Sequence, residues 1–223
     1  KWILEEFKDL QKDVLEHYES YSYHLVVQRI HNFCVNQLGG VYLDIIKDRQ
    51  YTTQQNSEIR RSAQTAMKLM IDKLVVLVAP ILSFTAEEIW QNDADLKANK
   101  ASVFLAELDS IPDFDSNLDH ECWSRLLEIK DNVNQKIEES RNAGEIKGSL
   151  DTEIELTVNT SDFQLLNNLS TELHFFFIVS ACNLVEGDTL EVRIKQSTFE
   201  KCTRCWHRNN SVSKSLKHPE LCN

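Results

Sequence analysis

Through the first 90 positions, apolar residues recur with the period of an α-helix. Ile3, Phe7, Leu10, Val14 and Tyr18 fall three and four apart, one apolar stripe along an amphipathic helix. A second helical stretch runs from about His24 to Ile46, with Leu25, Val26, Ile30, Phe33, Leu38, Leu43 and Ile46 as core candidates and His24 and His31 on its surface. Gly39-Gly40 lies inside it, and each glycine costs about 1 kcal/mol of helix propensity relative to Ala. Either the helix kinks there or something packs closely against its backbone. Tyr42 to Tyr51 reads as a charged helix end, followed by a polar connection from Thr52 to Ser57. Ile59, Ala63, Ala66, Met70, Leu74 and Val78 then carry a further stripe until Pro80 stops it. Thr85-Ala-Glu-Glu88 has capping-box spacing and predicts a short helix carrying Ile89 and Trp90, with Glu87 and Glu88 as charges at its N-terminus. Four helices with short connections are most simply satisfied by an antiparallel bundle.

Asn92 to Asp119 is polar, is broken by Pro112 and reads as a connection. A fifth helix is expected from about Asp119 to Ala143, with Leu126, Leu127, Val133 and Ile137 facing inward. Beyond Gly144 and Gly148 the period falls to two. Leu150, Ile154, Leu156 and Val158 alternate with polar residues, as do Leu190, Val192 and Ile194, and Phe175 to Val179 is a short apolar run. These predict strands, with a short helix from Asp162 to Leu169 between two of them. The fold class is therefore mainly α: a helical bundle over 1–118, a small α+β module over 119–198, and a tail over 199–223. Trp90 and Trp123 are assigned to the core.

Composition supports this picture, since only 5 Gly and 3 Pro disfavour a loop-rich or all-β fold. There is no run of about 18 apolar residues and no signal-peptide pattern, so a soluble, cytosolic monomer without a membrane partner is expected. A helix that starts at Lys1 with no cap before it is what a chain cut from a longer one would show. The net charge of −11 argues against a polyanionic partner until its distribution is considered. From Arg193 to Asn223 there are seven Lys or Arg against two Asp or Glu, a net of +5 that leaves −16 on the rest. Such a basic tail is equally a polyanion-binding segment or a solvated loop.

The chemistry concentrates at Cys202-Thr-Arg-Cys-Trp-His207, with Cys222 downstream. Two thiolates separated by two residues point into one small volume and can grip a tetrahedral zinc ion. A redox pair would open a helix after a strand, whereas this pair lies among Lys201, Arg204, Arg208, Asn209 and Asn210 without apolar periodicity. Cys202, Cys205 and Cys222 are the candidate metal ligands, one short of the four that a structural zinc takes. His207, His218 or a residue beyond Asn223 would supply the fourth. No nucleophile with a paired base and no phosphate loop stands at usable spacing, so an enzyme acting through this chain alone is not indicated.

Tyr42-Leu-Asp-Ile-Ile-Lys-Asp-Arg-Gln-Tyr-Thr52, Arg60-Arg61-Ser-Ala-Gln-Thr-Ala66, Ala79-Pro-Ile-Leu-Ser-Phe-Thr-Ala-Glu-Glu-Ile-Trp90 and Cys202-Thr-Arg-Cys-Trp-His207 occur here in one order. Together they closely resemble the C-terminal part of the bacterial isoleucyl-tRNA synthetase family. The likeness covers essentially the whole chain and is weakest over 92–119 and 159–187. It implies a class I anticodon-binding bundle followed by a zinc peptide that also approaches tRNA(Ile). It also implies a catalytic domain of the same chain before Lys1, whose His-Ile-Gly-His and Lys-Met-Ser-Lys-Ser signatures are not in this sequence. ATP and Mg²⁺ would act there, so no catalytic residue is assigned here. The fourth zinc cysteine of the family would follow Cys222, which favours a ligand beyond Asn223 over a histidine.

With that resemblance, Lys47, Arg49, Arg60 and Arg61 are candidates for tRNA phosphate contacts, and Arg204 and Arg208 flank Trp206, whose indole can stack on an unpaired base. Lys47 and Arg49 equally suit helix-end ion pairs or contact with the catalytic domain, and Trp206 alternatively packs on the zinc turn. Two rival readings stand beside the isoleucine one: the same region of another class I synthetase such as the valine enzyme, and a zinc-containing helical adaptor that binds protein through its acidic bundle.

Overall fold

In a computed structural model of the protein, which describes residues 1–114 and 118–222, the chain divides into two units, Lys1–Ser116 and Asn117–Asn223. Residues 115–117, within the expected connection, and residue 223, the last of the expected tail, lie outside the described residues.

The first unit is helical. α1 (Trp2–Glu19) buries Ile3, Phe7, Leu10 and Val14 of the stripe read from the sequence, and Leu4 beside them, while Tyr18 is only half-buried. α2 (Tyr23–Asn32) passes without a break into a π-helical segment, Phe33–Leu43, and then into α3 (Asp44–Tyr51). The wide π turn accounts for the paired glycines: a Cβ on Gly39 would sit 3.0 Å from the Cys34 carbonyl oxygen, and one on Gly40 3.2 Å from that of Val35. The close neighbour is thus the helix's own backbone five residues earlier. Phe33 is fully buried and meets Phe7 edge to face at 5.6 Å between ring centroids. Leu43 is 42% exposed and does not join the core. α4 (Glu58–Val78) ends before Pro80 and packs against α1, α3 and α5 (Ser83–Asn92).

Two expectations for this unit are corrected. α5 starts at Ser83, so Thr85 lies within it and caps nothing. The Glu87 carboxylate, instead of serving the helix N-terminus, accepts from Ser102 Oγ at 2.8 Å and the Val103 N–H at 3.0 Å. Nor is the stretch after Asn92 a plain connection. Asp93 Oδ1 accepts the N–H groups of Asp95 and Leu96 at 3.0 and 3.1 Å, starting α6 (Ala94–Asn99), and a 3₁₀ turn follows at Val103–Leu105. Leu96 and Val103 close a small core with Val75, Ala86 and Trp90. These apolar residues are too few and too irregularly spaced to show a period.

The second unit begins with α7 (His120–Asn142), whose N-terminus is capped by Asp119 Oδ1 accepting from the Cys122 N–H at 2.8 Å. β1 (Thr152–Val158), α8 (Thr160–Asn167), α9 (Leu173–Phe177), β2 (Ala181–Glu186) and β3 (Glu191–Gln196) follow. The three strands form a sheet in the order β2-β1-β3, with β1 parallel to β2 and antiparallel to β3. Parallel pairing requires a crossover, which α8 and α9 supply. Ile154, Leu156 and Val158 are buried on one face, in the alternation expected of a half-buried strand. The chain passes from β2 to β3 around the end of β1 at Gly187, where a Cβ would fall 2.5 Å from Thr157 Cγ2.

Here too the apolar run corrects an expectation. Phe175, Phe176 and Phe177 belong to a buried helix, ended by Ile178 in the left-handed conformation at φ 57°. The strand lies further on, in Ala181–Glu186, an edge strand whose burial does not alternate. Trp90 is core, with its indole N–H donating to the Lys100 carbonyl at 2.9 Å, while Trp123 is only half-buried.

Candidate metal centre and nucleic-acid interface

Residues 200–209 form a short hairpin. The Cys202 N–H donates to the His207 carbonyl at 2.9 Å and the Asn209 N–H to that of Glu200 at 3.2 Å, with Lys201 bridged to Arg208. At its tip the Trp206 N–H returns to the Cys202 carbonyl at 3.0 Å and Trp206 takes φ 67°, a left-handed turn residue. This tight tip brings Cys202 and Cys205 together, and the returning chain adds Cys222. The three sulfurs lie within 4.8 Å of one another, and Cys205 Sγ is 3.6 Å from Cys222 Sγ. Tetrahedral zinc with sulfur at about 2.3 Å separates its ligands by about 3.8 Å, so the donor set and its spacing fit that ion. The cluster contains neither His207, whose ring is buried against His174 and Phe175, nor His218, which is exposed.

The thiols are not equivalent. Burial opposes ionisation of Cys202, but the N–H groups of Cys205, Cys222 and Arg204 aimed at its sulfur prevail and lower its pKa to about 7. Burial pushes Cys205 up to about 12 and raises Cys222 as well. Filling the site therefore displaces protons from Cys205 and Cys222.

Next to the cluster, Trp206 is 60% exposed, with the Lys201 ammonium 5.3 Å from its ring centroid. Arg204 is exposed at the same tip. Arg208, which the sequence places in the same role, points elsewhere. Its Nε donates to Asp151 Oδ1 at 2.7 Å, its Nη1 to the Phe199 carbonyl at 2.9 Å, and its backbone N–H to Ser180 Oγ at 2.7 Å. These bonds fasten the hairpin to the start of β1 and to the residue preceding β2. Lys201 escaped the sequence reading. Its one signal in the sequence was its position beside Cys202.

The candidates of the first unit lie around the junction of α3 and α4. Lys47 Nζ pairs with Asp44 at 2.8 Å, both side chains being nearly half exposed. Arg49 is half-buried near Tyr42, whose phenol pKa burial raises more than the arginine's charge lowers it. Arg60 Nη1 reaches the Thr53 carbonyl at 3.5 Å, and Arg61 is exposed. Thr53 Oγ1 donates to the Arg49 carbonyl at 2.6 Å and receives Ser57 Oγ at 3.1 Å, so this junction is stitched by the hydroxyls of the polar connection.

Residues 1–156 match the family model described as the anticodon-binding domain of tRNA ligase. The chain belongs to that family. It is 42% identical over its whole length to the isoleucine–tRNA ligase of Teredinibacter turnerae, 41% to that of Saccharophagus degradans and 40% to that of Legionella pneumophila. In each case it spans 25% of the relative's length. As a member of that family, it pairs a mainly helical first unit with a second unit bearing a three-stranded sheet and a three-cysteine cluster that suits a metal. Among the described residues, no helix is long and apolar enough to cross a membrane.

Proposed function

We propose that this chain grips the anticodon arm of isoleucine tRNA as the non-catalytic, C-terminal part of an isoleucine–tRNA ligase. The observation that carries this reading is the similarity to isoleucine–tRNA ligases along the entire chain, joined to an anticodon-binding match over 1–156. The remaining length of such a protein would activate isoleucine with ATP and Mg²⁺ and transfer it to the tRNA, in the cytoplasm and as a monomer. The first unit serves as an antiparallel helical bundle that sets the reach to the anticodon. Arg60, Arg61, Arg49 and Lys47 supply phosphate contacts; the exposed Asp44–Lys47 pair is worth at most about 1 kcal/mol and yields readily to a phosphate.

Zinc, held by Cys202, Cys205, Cys222 and a fourth ligand beyond residue 223, keeps the hairpin tip rigid. Trp206 then stacks on an unpaired anticodon base and Arg204 contacts the backbone, while Arg208 acts as the strut beneath them. Stacking on a fixed aromatic contributes about 1–3 kcal/mol per base. The test is a salt-dependent titration of the full-length protein with isoleucine tRNA and with the same tRNA carrying an exchanged anticodon. Binding that weakens linearly with log salt, and is tighter for the cognate anticodon, is the expected result. Preference for a valine anticodon would reassign the chain, and absence of RNA binding would sink the reading.

A further inference from the structure

The geometry points to Lys201 and Trp206 as one nucleotide-binding element, in which the base stacks on the uncovered face of the indole and the Lys201 ammonium takes the adjoining phosphate. This inference rests on the RNA-binding reading above and adds the residue and the ring face that the contact uses. Neither sequence pattern nor family likeness assigned Lys201 a role.

Three observations support it. First, the ammonium lies over the ring at 5.3 Å, yet Trp206 remains 60% exposed. A planar ring with one face occupied and that much surface open has its other face available. Second, the ring is held from behind. Its backbone N–H is tied to Cys202, it sits between Cys205 and the buried His207, and the hairpin base is fastened through Arg208 to Asp151 and Ser180. An aromatic whose backbone is already fixed loses little freedom when a base stacks on it. Third, Lys201 is exposed and has no carboxylate partner among the ion pairs of the described residues. Arg193, Lys195 and Arg208 in the same unit are each paired with Glu191 and Glu155, Glu153, or Asp151. A cation engaged only with a ring face can turn to a phosphate without breaking an ion pair. Its tether on the Cys202 side keeps it within one nucleotide's span of the stacked base.

The Lys201 site therefore predicts one phosphate contact that depends on charge and not on shape. The test uses the full-length protein with a labelled anticodon stem-loop RNA, comparing Lys201→Met, Lys201→Arg and Trp206→Ala over a range of salt concentrations, with bound metal measured in each. Lys201→Met, which keeps an unbranched apolar stem over the indole, should bind about five- to tenfold more weakly at low salt, with the log–log salt slope shallower by about 0.7, the loss of one single-strand phosphate contact. Lys201→Arg should restore both. Unchanged affinity and slope in Lys201→Met, alongside a weakened Trp206→Ala, would overturn the paired element and leave Trp206 acting alone. Failure of the unaltered protein to bind the stem-loop would overturn the broader reading as well. A loss in Lys201→Met that the arginine does not restore, or that comes with lost metal, would mark Lys201 as a structural residue and reject the inference.

Discussion

Arg60 adjoins Arg61 and Arg208 lies two residues from Trp206, and both invite the same reading as RNA contacts. In the fold they differ. Arg60 makes a long 3.5 Å bond to the Thr53 carbonyl, whereas Arg208 makes an ion pair at 2.7 Å with the largely buried Asp151 and a further bond to Phe199. The first is held weakly enough to be recruited by a ligand; the second would leave a desolvated carboxylate behind if it moved. Lys47, loosely paired on the surface, and Lys201, which lies over an indole without a carboxylate partner among the ion pairs of the described residues, both fall on the recruitable side. A cation's availability depends on what its own fold already asks of it.

The largest effect should come from the hairpin tip that carries the cysteines and Trp206. Cys205→Ser should abolish metal binding and open the tail while leaving the helices of the first unit intact, read by metal stoichiometry together with limited proteolysis and circular dichroism. Full metal content in that variant would remove Cys205 from the ligand set. Trp206→Ala should weaken anticodon-arm binding by about 1–3 kcal/mol at unchanged thermal stability, measured by titration and melting. Equal affinity would erase the distinction between the tip and the first unit.

Arg208→Ala should destabilise the second unit by about 1–3 kcal/mol, because Asp151 and the Phe199 carbonyl lose a partner. Arg204→Ala should leave stability unchanged and cost only RNA affinity; identical behaviour of the two would break the division into strut and contact. A smaller effect concerns acid. Asp162 is buried and accepts Arg125 through both carboxylate oxygens, at 2.9 and 2.7 Å, which holds its pKa below the usual carboxylate range. A depressed folded pKa gives stability that is present above the unfolded value and lost as pH falls through the folded one. Asp162→Asn should therefore cost about 2 kcal/mol near neutral pH and show a flatter decline below about pH 4, in denaturant melts. The smallest effect is expected of Lys47→Ala, under about 1 kcal/mol in stability, since its pair is exposed.

Much of the candidate site was legible before any coordinates, because a C-x-x-C turn with a third cysteine states its chemistry in its spacing. What misled was charge and bulk without period. Arg208 reads like Arg204, and Phe175 to Val179 reads like a strand, although Phe175–Phe177 fold as a buried helix. Thr85 to Glu88 carry the letters of a capping box, yet α5 had already begun at Ser83.

Local pattern determined the helices of the first unit, the half-buried strand Thr152–Val158 and the cysteine hairpin, since helix period, strand alternation and turn geometry act over a few residues. Tertiary structure alone decided that the chain after Asn92 closes a core on Trp90, that Ala181–Glu186 becomes the edge strand beside β1, and that Lys201 rather than Arg208 sits against Trp206. Those outcomes depend on partners 10 to 57 residues away, at Lys100, Ser180 and Asp151, and the period of a helix or strand carries no sign of such a bond.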